Sequence, residues 1–142
     1  MSTILVPVDG SESSHRAAKM AAQMAPGLKA NIRLLAVLDL SQLDVYDGFY
    51  LTEDQLTQLH EKLRQEVLDD VKNSLDLADG TAVEEELVRG HAKKVILDQA
   101  SKDDVVMVCM GKTGKGALER LLQGSVSREV VQHAGVPCCV VP

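Results

Sequence analysis

Two pairs of residues in the last third of the chain have types and spacing suited to phosphate: Gly111 with Gly114, and Gly124 with Ser125. Glycine has no Cβ, so its backbone can approach a ligand closely. The first pair follows Val105–Met110, an apolar run typical of a buried strand, and the second pair opens a helical pattern. Amides at the start of a helix favour anions. The pattern therefore predicts a strand, a glycine-rich loop and a helix start that together cradle phosphate groups.

Two lysines, Lys112 and Lys115, stand beside the loop glycines. Loop lysines are commonly only solvated, but two cations in this place suit a triphosphate. Two well-known phosphate motifs do not fit. A P-loop would need glycine where the chain has Val106, and a dinucleotide-binding GxGxxG would need glycine where it has Glu119. The predicted cradle is of another type.

Asp9 ends the first apolar run and directly precedes Gly10 and Ser11. A carboxylate in this place can simply hold the turn before a helix. It can also accept a hydrogen bond from a nucleotide ribose or orient a metal-bound water. Both Asp9 and Gly111 follow predicted strands of a parallel sheet, where ligands bind beyond the carboxyl ends. That shared location favours the binding interpretation.

Ser125 and Ser127 open the last predicted helix, and Ser125 can cap the helix, contact a phosphate, or do both. A nucleophilic serine is not expected, because the chain has no GxSxG elbow. The four histidines are scattered and no CxxC pair exists, so no metal-ligating residues are predicted. No residue is identified as catalytic.

Composition argues against several classes of protein. The net charge is −6, from 15 basic and 21 acidic residues, and aromatic residues make up 2%. A nucleic-acid binder would carry a basic face and stacking surfaces, so neither DNA nor RNA is expected as a partner. No apolar run approaches the ~20 residues of a membrane helix, and a strand follows the first residues where a signal peptide would lie. We expect a cytoplasmic protein with no membrane partner and with reduced cysteines in its strands.

Apolar β-branched runs alternate with helical patterns along the whole chain, which predicts a parallel sheet with helices on both faces. No linker or repeat interrupts the pattern, so one domain over residues 1–142 is expected. The predicted strands are Thr3–Val8, Asn31–Leu38, Ala82–Val88, Val105–Met110 and Val136–Val141. The predicted helices are Ser11–Ala25, stopped by Pro26 and Gly27, then Thr52–Leu77, Ala92–Ser101 and Ser125–His133.

The spacing GxxG, nine residues, GS resembles the ATP-binding pattern of the universal stress protein family. The resemblance extends to the first strand, Ile4–Ser11, and to the ending His133–Val141. It implies a Rossmann-like sheet of five strands in the order 3-2-1-4-5, and ATP, ADP or AMP bound with Mg²⁺ or Mn²⁺. The nucleotide-binding residues that it implies are Pro7, Val8, Asp9, Val37, Met110, Gly111, Lys112, Gly114, Lys115, Gly124, Ser125, Val126 and Ser127.

Three functions are consistent with this resemblance. The first is an ATP-binding stress protein with a regulatory or protective role and at most slow ATPase activity. The second is an enzyme of the related adenine-nucleotide α-hydrolase class, which cleaves ATP to AMP and pyrophosphate. The third is a dimerisation module that binds no nucleotide. The complete glycine pattern favours the first.

Assembly into a homodimer is also predicted. In the implied order, Val136–Val141 is an apolar strand on a sheet edge, and such an edge can pair with another chain. Members of the family commonly dimerise by pairing their last strands. Pro137 supports the opposite view, because it removes a donor from the edge and would favour a monomer.

Overall fold

Five parallel strands form a sheet in the computed structural model of the chain, which describes residues 1–40, 51–113 and 124–142. The strands are β1 (Ser2–Pro7), β2 (Ala30–Leu38), β3 (Val83–Arg89), β4 (Val105–Gly111) and β5 (Cys138–Val141). Their order across the sheet is β3-β2-β1-β4-β5, and every pairing is parallel. The predicted fold class and strand order are confirmed, with strand ends displaced by one or two residues.

Helices cover both faces of this sheet. They are α1 (Glu12–Leu28), α2 (Glu53–Leu63), a π-helical turn over Arg64–Asp69, α3 (Asp70–Ser74), α4 (Ala92–Ala100) and α5 (Ser125–His133). Side chains alternate along β1, so Ile4 and Val6 pack beneath α1 and α3 while Leu5 packs beneath α4 and α5. A membrane span would need a long apolar helix, and none of the helices in the described ranges is one.

The first helix is longer than its sequence predicts. Pro26 and Gly27 lie inside its last turn, and the helix ends at Lys29, which has a left-handed backbone with φ of 50°. The amide of Lys29 donates to the carbonyl oxygens of Ala25 and Pro26, which closes the helix. Pro26 has no amide to donate to the carbonyl oxygen four residues earlier, so the helix lacks that one hydrogen bond, and only two helical residues follow it. Met20 of this helix is exposed.

The second long helix is interrupted rather than continuous. It begins as predicted, with a capping box in which the Thr52 hydroxyl accepts from the Gln55 amide and the Gln55 side chain accepts from the Thr52 amide. No residue of α2 is buried, and burial begins only at Val67 in the π-helical turn. A π-helical turn holds more residues than an α-helical one, so it shifts the face that follows. The leucines at helical spacing in α2 (Leu56, Leu59 and Leu63) are half-buried, and Leu63 packs against the core, whereas Val67 and Val71 further along are buried. The helix ends at Ser74, not Leu77.

The two edges of the sheet differ in character. β3 is an edge strand that carries acidic side chains. β5 is apolar, and all four of its residues are half-buried. Cys139 packs beneath α1 and Cys138 beneath α4 and α5, because neighbouring side chains of a strand point to opposite faces.

Candidate functional site

The carboxyl ends of β1 and β4 form the floor of the candidate site. These strands are adjacent in the sheet. The chain leaves β1 for α1 on one face and leaves β4 for α5 on the other. Chain connections that diverge in this way open a crevice at the carboxyl edge, where ligands bind in open α/β sheets.

Asp9 lies in the tight turn between β1 and α1. Its Oδ1 atom accepts a hydrogen bond of 2.9 Å from the amide of Ser11, across Gly10, whose φ is 87°. Ser11 in turn caps α1 by accepting from the amide of Ser14 at 3.2 Å. The carboxylate therefore has the turn-holding role that the sequence leaves open. Asp9 is also exposed, so its carboxylate lies at the surface of the crevice.

Gly111, the last residue of β4, is pressed against the start of α1. A Cβ built on Gly111 would lie 2.8 Å from the carbonyl carbon of Ser13 and from the amide nitrogen of Ser14, and would also meet the Ser13 hydroxyl. Real Cβ atoms do not approach backbone so closely. Glycine at this position is thus required by the packing of α1 on β4, in addition to anything that a ligand would demand.

Lys112 joins the entry of the glycine-rich segment to its exit. Its carbonyl oxygen accepts hydrogen bonds from the Gly124 amide at 2.8 Å and from the Ser127 hydroxyl at 2.9 Å. Its own amide donates to Val141 of β5 at 2.6 Å. The two bonds to the Lys112 carbonyl oxygen hold residues 112 and 124 together, and we call this contact the neck. The bond to Val141 attaches the neck to β5. The predicted residues Gly114 and Lys115 lie outside the residues that the structure describes.

The exit of the segment opens directly into α5. Gly124 is the N-cap, with φ of −68° and ψ of 156°, and no side chain caps the helix. Ser125 is therefore not the cap that its sequence position allows but the first helical residue, and its side chain is exposed. Ser127 is buried, and its hydroxyl donates to the carbonyl oxygens of Lys112 and Gly124. Its side chain holds the neck, while Ser125 faces outward.

The remaining predicted residues divide by burial. Val8 and Met110 are each only 4% exposed, so their side chains belong to the core and only their backbone can reach the crevice. Pro7, Val37 and Val126 are half-buried, and Val37 and Val126 pack against the core beneath α4 and α5. The structure thus brings the ends of β1 and β4 and the start of α5 to one edge, with Val37 near the end of the adjacent strand β2.

Sequence reasoning missed two residues of this edge, Ser13 and Ser14. Both are 4% exposed, although they lie in the first turn of a helix. The Ser13 hydroxyl donates to the carbonyl oxygen of Thr113, and the Ser14 hydroxyl accepts from the amide of Asp9 at 3.4 Å. The signal was the run Ser11-Glu12-Ser13-Ser14, in which a single capping serine would have sufficed.

The thiol of Cys109 lies beneath the floor of the site and is unsuited to redox chemistry. Burial, together with the neighbouring thiol of Cys139, raises the pKa of Cys109 from 9.0 to about 12. Its Sγ atom donates to the carbonyl oxygen of Ala17 at 3.2 Å. The cysteine is fully buried and packs as a small core residue.

A cluster of half-buried charged side chains lies at the opposite end of the sheet. The Arg33 guanidinium lies 2.7 Å from Asp104, and this hydrogen bond, helped by one from Thr3, holds the pKa of Asp104 below its usual value. Asp104 precedes β4, so this cluster stabilises the amino edge of the sheet and is not part of the crevice.

The crevice combines features that attract an anion. The positive end of the α5 dipole and the amides of its first turn face it beside a glycine cap. The Asp9 carboxylate lies across from them and can accept hydrogen bonds from hydroxyl groups. Among residues 1–40, 51–113 and 124–142, no group of three His, Cys, Asp or Glu side chains could hold a metal ion. The arrangement therefore suits a ligand with both phosphate and hydroxyl groups.

Comparison with known proteins gives a consistent result. A model of the universal stress protein family matches residues 1–142. The universal stress protein MJ0531 of Methanocaldococcus jannaschii is 31% identical over 140 residues, a match that covers 97% of this chain and 80% of that protein.

Solved structures agree with the fold. The hypothetical protein MJ0577 superposes with a TM-score of 0.81 at 28% identity, over 99% of this chain and 94% of its own. A universal stress protein in complex with cAMP superposes with a TM-score of 0.65 at 22% identity, over 99% of this chain and 95% of its own. The universal stress protein from Archaeoglobus fulgidus in complex with dAMP superposes with a TM-score of 0.66 at 20% identity, over 100% of this chain and 98% of its own. At the two lower identities the likeness establishes the fold alone.

Proposed function

The chain belongs to the universal stress protein family, and from that premise we propose that it binds ATP across the carboxyl ends of β1, β2 and β4. The observation that carries this proposal is the meeting of three features at one edge. These are the exposed carboxylate of Asp9, the end of β4 that the Lys112 carbonyl oxygen holds beside α5, and a first turn of α5 that begins at the glycine N-cap Gly124.

The class of ligand has independent support. Two proteins of the same fold were solved with cAMP and with dAMP, both adenine nucleotides. The glycine-rich segment has two lysines in sequence, which suits the additional phosphates of ATP. These points favour an adenine nucleotide as the class and ATP as the member.

Each predicted residue has a part in the proposed complex. Backbone amides of the α5 first turn and the side chains of Lys112 and Lys115 bind the phosphates, while Asp9 accepts hydrogen bonds from the ribose. Val37 contacts the adenine edge through its backbone, and Pro7 and Val8 form one wall. The remaining contacts come from the end of β4, the glycine-rich segment and the start of α5: Met110, Gly111, Gly114, Gly124, Ser125, Val126 and Ser127.

A divalent cation, Mg²⁺ or Mn²⁺, accompanies the nucleotide in this proposal. Its positive charge offsets the negative charge of the phosphates. Its main ligands are phosphate oxygens and water molecules. Asp9 is the carboxylate of this edge that can orient one of those waters. This fits the described residues, which contain no group of three His, Cys, Asp or Glu side chains that could hold a metal ion by themselves.

The biological role that follows is regulatory or protective, in the cytoplasm, with hydrolysis slow at most. A bound nucleotide would add phosphate and ribose groups at this edge and so alter the surface that a partner contacts. The alternative function, cleavage of ATP to AMP and pyrophosphate, makes a different prediction. Incubation of the protein with ATP and Mg²⁺, followed by chromatography, distinguishes the two: accumulation of AMP and pyrophosphate supports the enzyme, and intact ATP supports the binding protein.

We also propose that the chain forms a homodimer through β5. The strand is an edge of the sheet, and its four residues are apolar and half-buried. Antiparallel pairing of two copies about a twofold axis would cover this edge on both chains at once. The opposing influence is Pro137, which lies just before the strand and outside it.

Mass spectrometry of small molecules released from the purified protein by denaturation tests the proposed function. ATP, ADP or AMP in an amount near one per chain is the expected result. Recovery of no nucleotide, together with no heat of binding when ATP and Mg²⁺ are titrated into the protein, would overturn it.

A further inference from the structure

The first turn of α1 contacts both walls of the crevice. Ser14 accepts a hydrogen bond from the Asp9 amide at 3.4 Å, on the β1 side. Ser13, its neighbour, donates to the carbonyl oxygen of Thr113, on the β4 side. Two adjacent serines therefore tie together segments that lie about a hundred residues apart in the chain.

The contact on the β4 side is tight as well as polar. Gly111 lies against the backbone of Ser13 and Ser14 so closely that no Cβ could be placed there. Thr113 follows two residues later and is held through its carbonyl oxygen. Between them is Lys112, whose carbonyl oxygen forms the neck with Gly124 and Ser127. Ser13 thus acts on the same stretch that aligns the start of α5.

We propose that Ser13 is a positioning residue of the nucleotide site: its hydrogen bond to Thr113 fixes the entry of the glycine-rich segment relative to the Asp9 turn. In its ligand-binding part this inference rests on the proposed function. Ser13 does not contact the nucleotide, since its side chain is buried between α1 and the end of β4. It acts by setting the distance between the two walls before the ligand arrives.

Preorganisation of this kind affects binding because a ligand that must order the segment loses affinity. A Ser13→Ala variant removes only the hydroxyl, and alanine favours the helix, so α1 is expected to form. The matched control is Ser101→Ala. Ser101 also donates its hydroxyl to a backbone carbonyl, that of Asp98 at 2.7 Å, but it caps α4 at the amino edge of the sheet.

Hydrogen exchange without ligand tests the structural part. The amides of Lys112 and Gly124 are compared with that of Val8, which bonds to Leu35 within the core region and corrects for global opening. In Ser13→Ala the two neck amides should exchange about five-fold faster relative to Val8, the equivalent of one net hydrogen bond. Ser101→Ala should leave the ratio unchanged. An unchanged ratio in Ser13→Ala would overturn the inference.

Calorimetric titration with ATP and Mg²⁺ tests the binding part on the same three proteins. Ser13→Ala should bind about five-fold more weakly than the wild type, and Ser101→Ala should bind equally well. Equal affinity of Ser13→Ala and wild type would overturn the positioning role even if the neck exchanged faster. If the wild type itself binds no ATP, the proposed function fails, and the exchange ratio alone then decides whether Ser13 holds the segment.

Discussion

The amide nitrogen of Gly124 lies 2.8 Å from the carbonyl oxygen of Lys112, so the two ends of the glycine-rich segment are direct neighbours. The Ser127 hydroxyl donates to the same oxygen, and Lys112 is itself bonded to β5. The start of α5 is thereby fixed beside the end of β4. A helix N-terminus that is already fixed in this way can bind an anion without the entropic cost of ordering its backbone.

Replacement of Asp9 by alanine should weaken ATP binding by roughly 1–3 kcal/mol, because a ribose hydroxyl would lose its acceptor. The variant should also lose some stability, since Asp9 holds the Ser11 amide. Calorimetry at a temperature where the variant is folded measures the first effect, and urea denaturation measures the second. Asp9→Asn is the control, because its amide oxygen can still accept from Ser11. A loss of stability with unchanged ATP affinity would mean that Asp9 only holds the turn.

Gly111→Ala should destabilise the fold by roughly 1–3 kcal/mol, as expected for a group forced into a packed interior. The added Cβ would lie 2.8 Å from backbone atoms of Ser13 and Ser14. Gly27→Ala is the control: it lies in the last turn of α1 with nothing within 4 Å of its Cβ position, so it should be neutral or stabilising. Urea denaturation of both variants measures the difference. Wild-type stability of Gly111→Ala would contradict the packing of α1 against β4.

Cys109 should make the protein less stable at alkaline pH. Burial raises its pKa in the folded chain from 9.0 to about 12. Between these values the unfolded chain has released a proton that the folded chain keeps, so the free energy of unfolding falls as pH rises above 9.0, by up to about 1.4 kcal/mol per pH unit. Urea denaturation from neutral pH to pH 10.5 should show this decrease in the wild type relative to Cys109→Ala. Parallel curves for the two proteins would show that the thiol titrates normally.

A proline at position 140 should separate the proposed homodimer without breaking the sheet. The carbonyl oxygens of Pro137 and Val141 accept from β4, so by the alternation of a strand the Val140 amide faces the open edge. Val140→Pro removes that donor, whereas Val140→Ala keeps it. Light scattering should give a dimer for the wild type and Val140→Ala and a monomer for Val140→Pro. A monomeric wild type at tens of micromolar would end the dimer proposal.

Features that depend on the periodicity of apolar residues along a strand or helix were predictable from the sequence. The five strands and their burial on both faces follow from continuous apolar runs, and the opposite faces of Cys138 and Cys139 follow from the strand period. The strand order was available only through the family resemblance, since periodicity does not say which strands are neighbours. The shared edge of Asp9 and Gly111 follows from parallel strands, but their position on adjacent strands depended on that order.

Features governed by tertiary contacts were not predictable. Pro26 and Gly27 read as a helix stop, yet α1 continues until Lys29 adopts a left-handed backbone. The π-helical turn at Arg64–Asp69 has no sequence signal that we recognise, and full burial begins only within it, at Val67. Gly111 was interpreted as making room for a ligand, but the structure shows α1 in that space. Ser13 escaped notice because its partner, Thr113, lies a hundred positions along the chain.

Nuclear magnetic resonance of the ¹⁵N-labelled protein, titrated with ATP and Mg²⁺, tests the central claim most directly because it reports binding and location together. The account predicts that amide signals of Asp9, Gly111, Lys112, Ser125 and Val126 shift in a saturable way, while those around the cleft at the amino edge, between Leu97–Asp103 and His133–Val136, do not. The absence of shifts at millimolar ATP, or shifts confined to that cleft, would contradict a nucleotide site at the carboxyl edge.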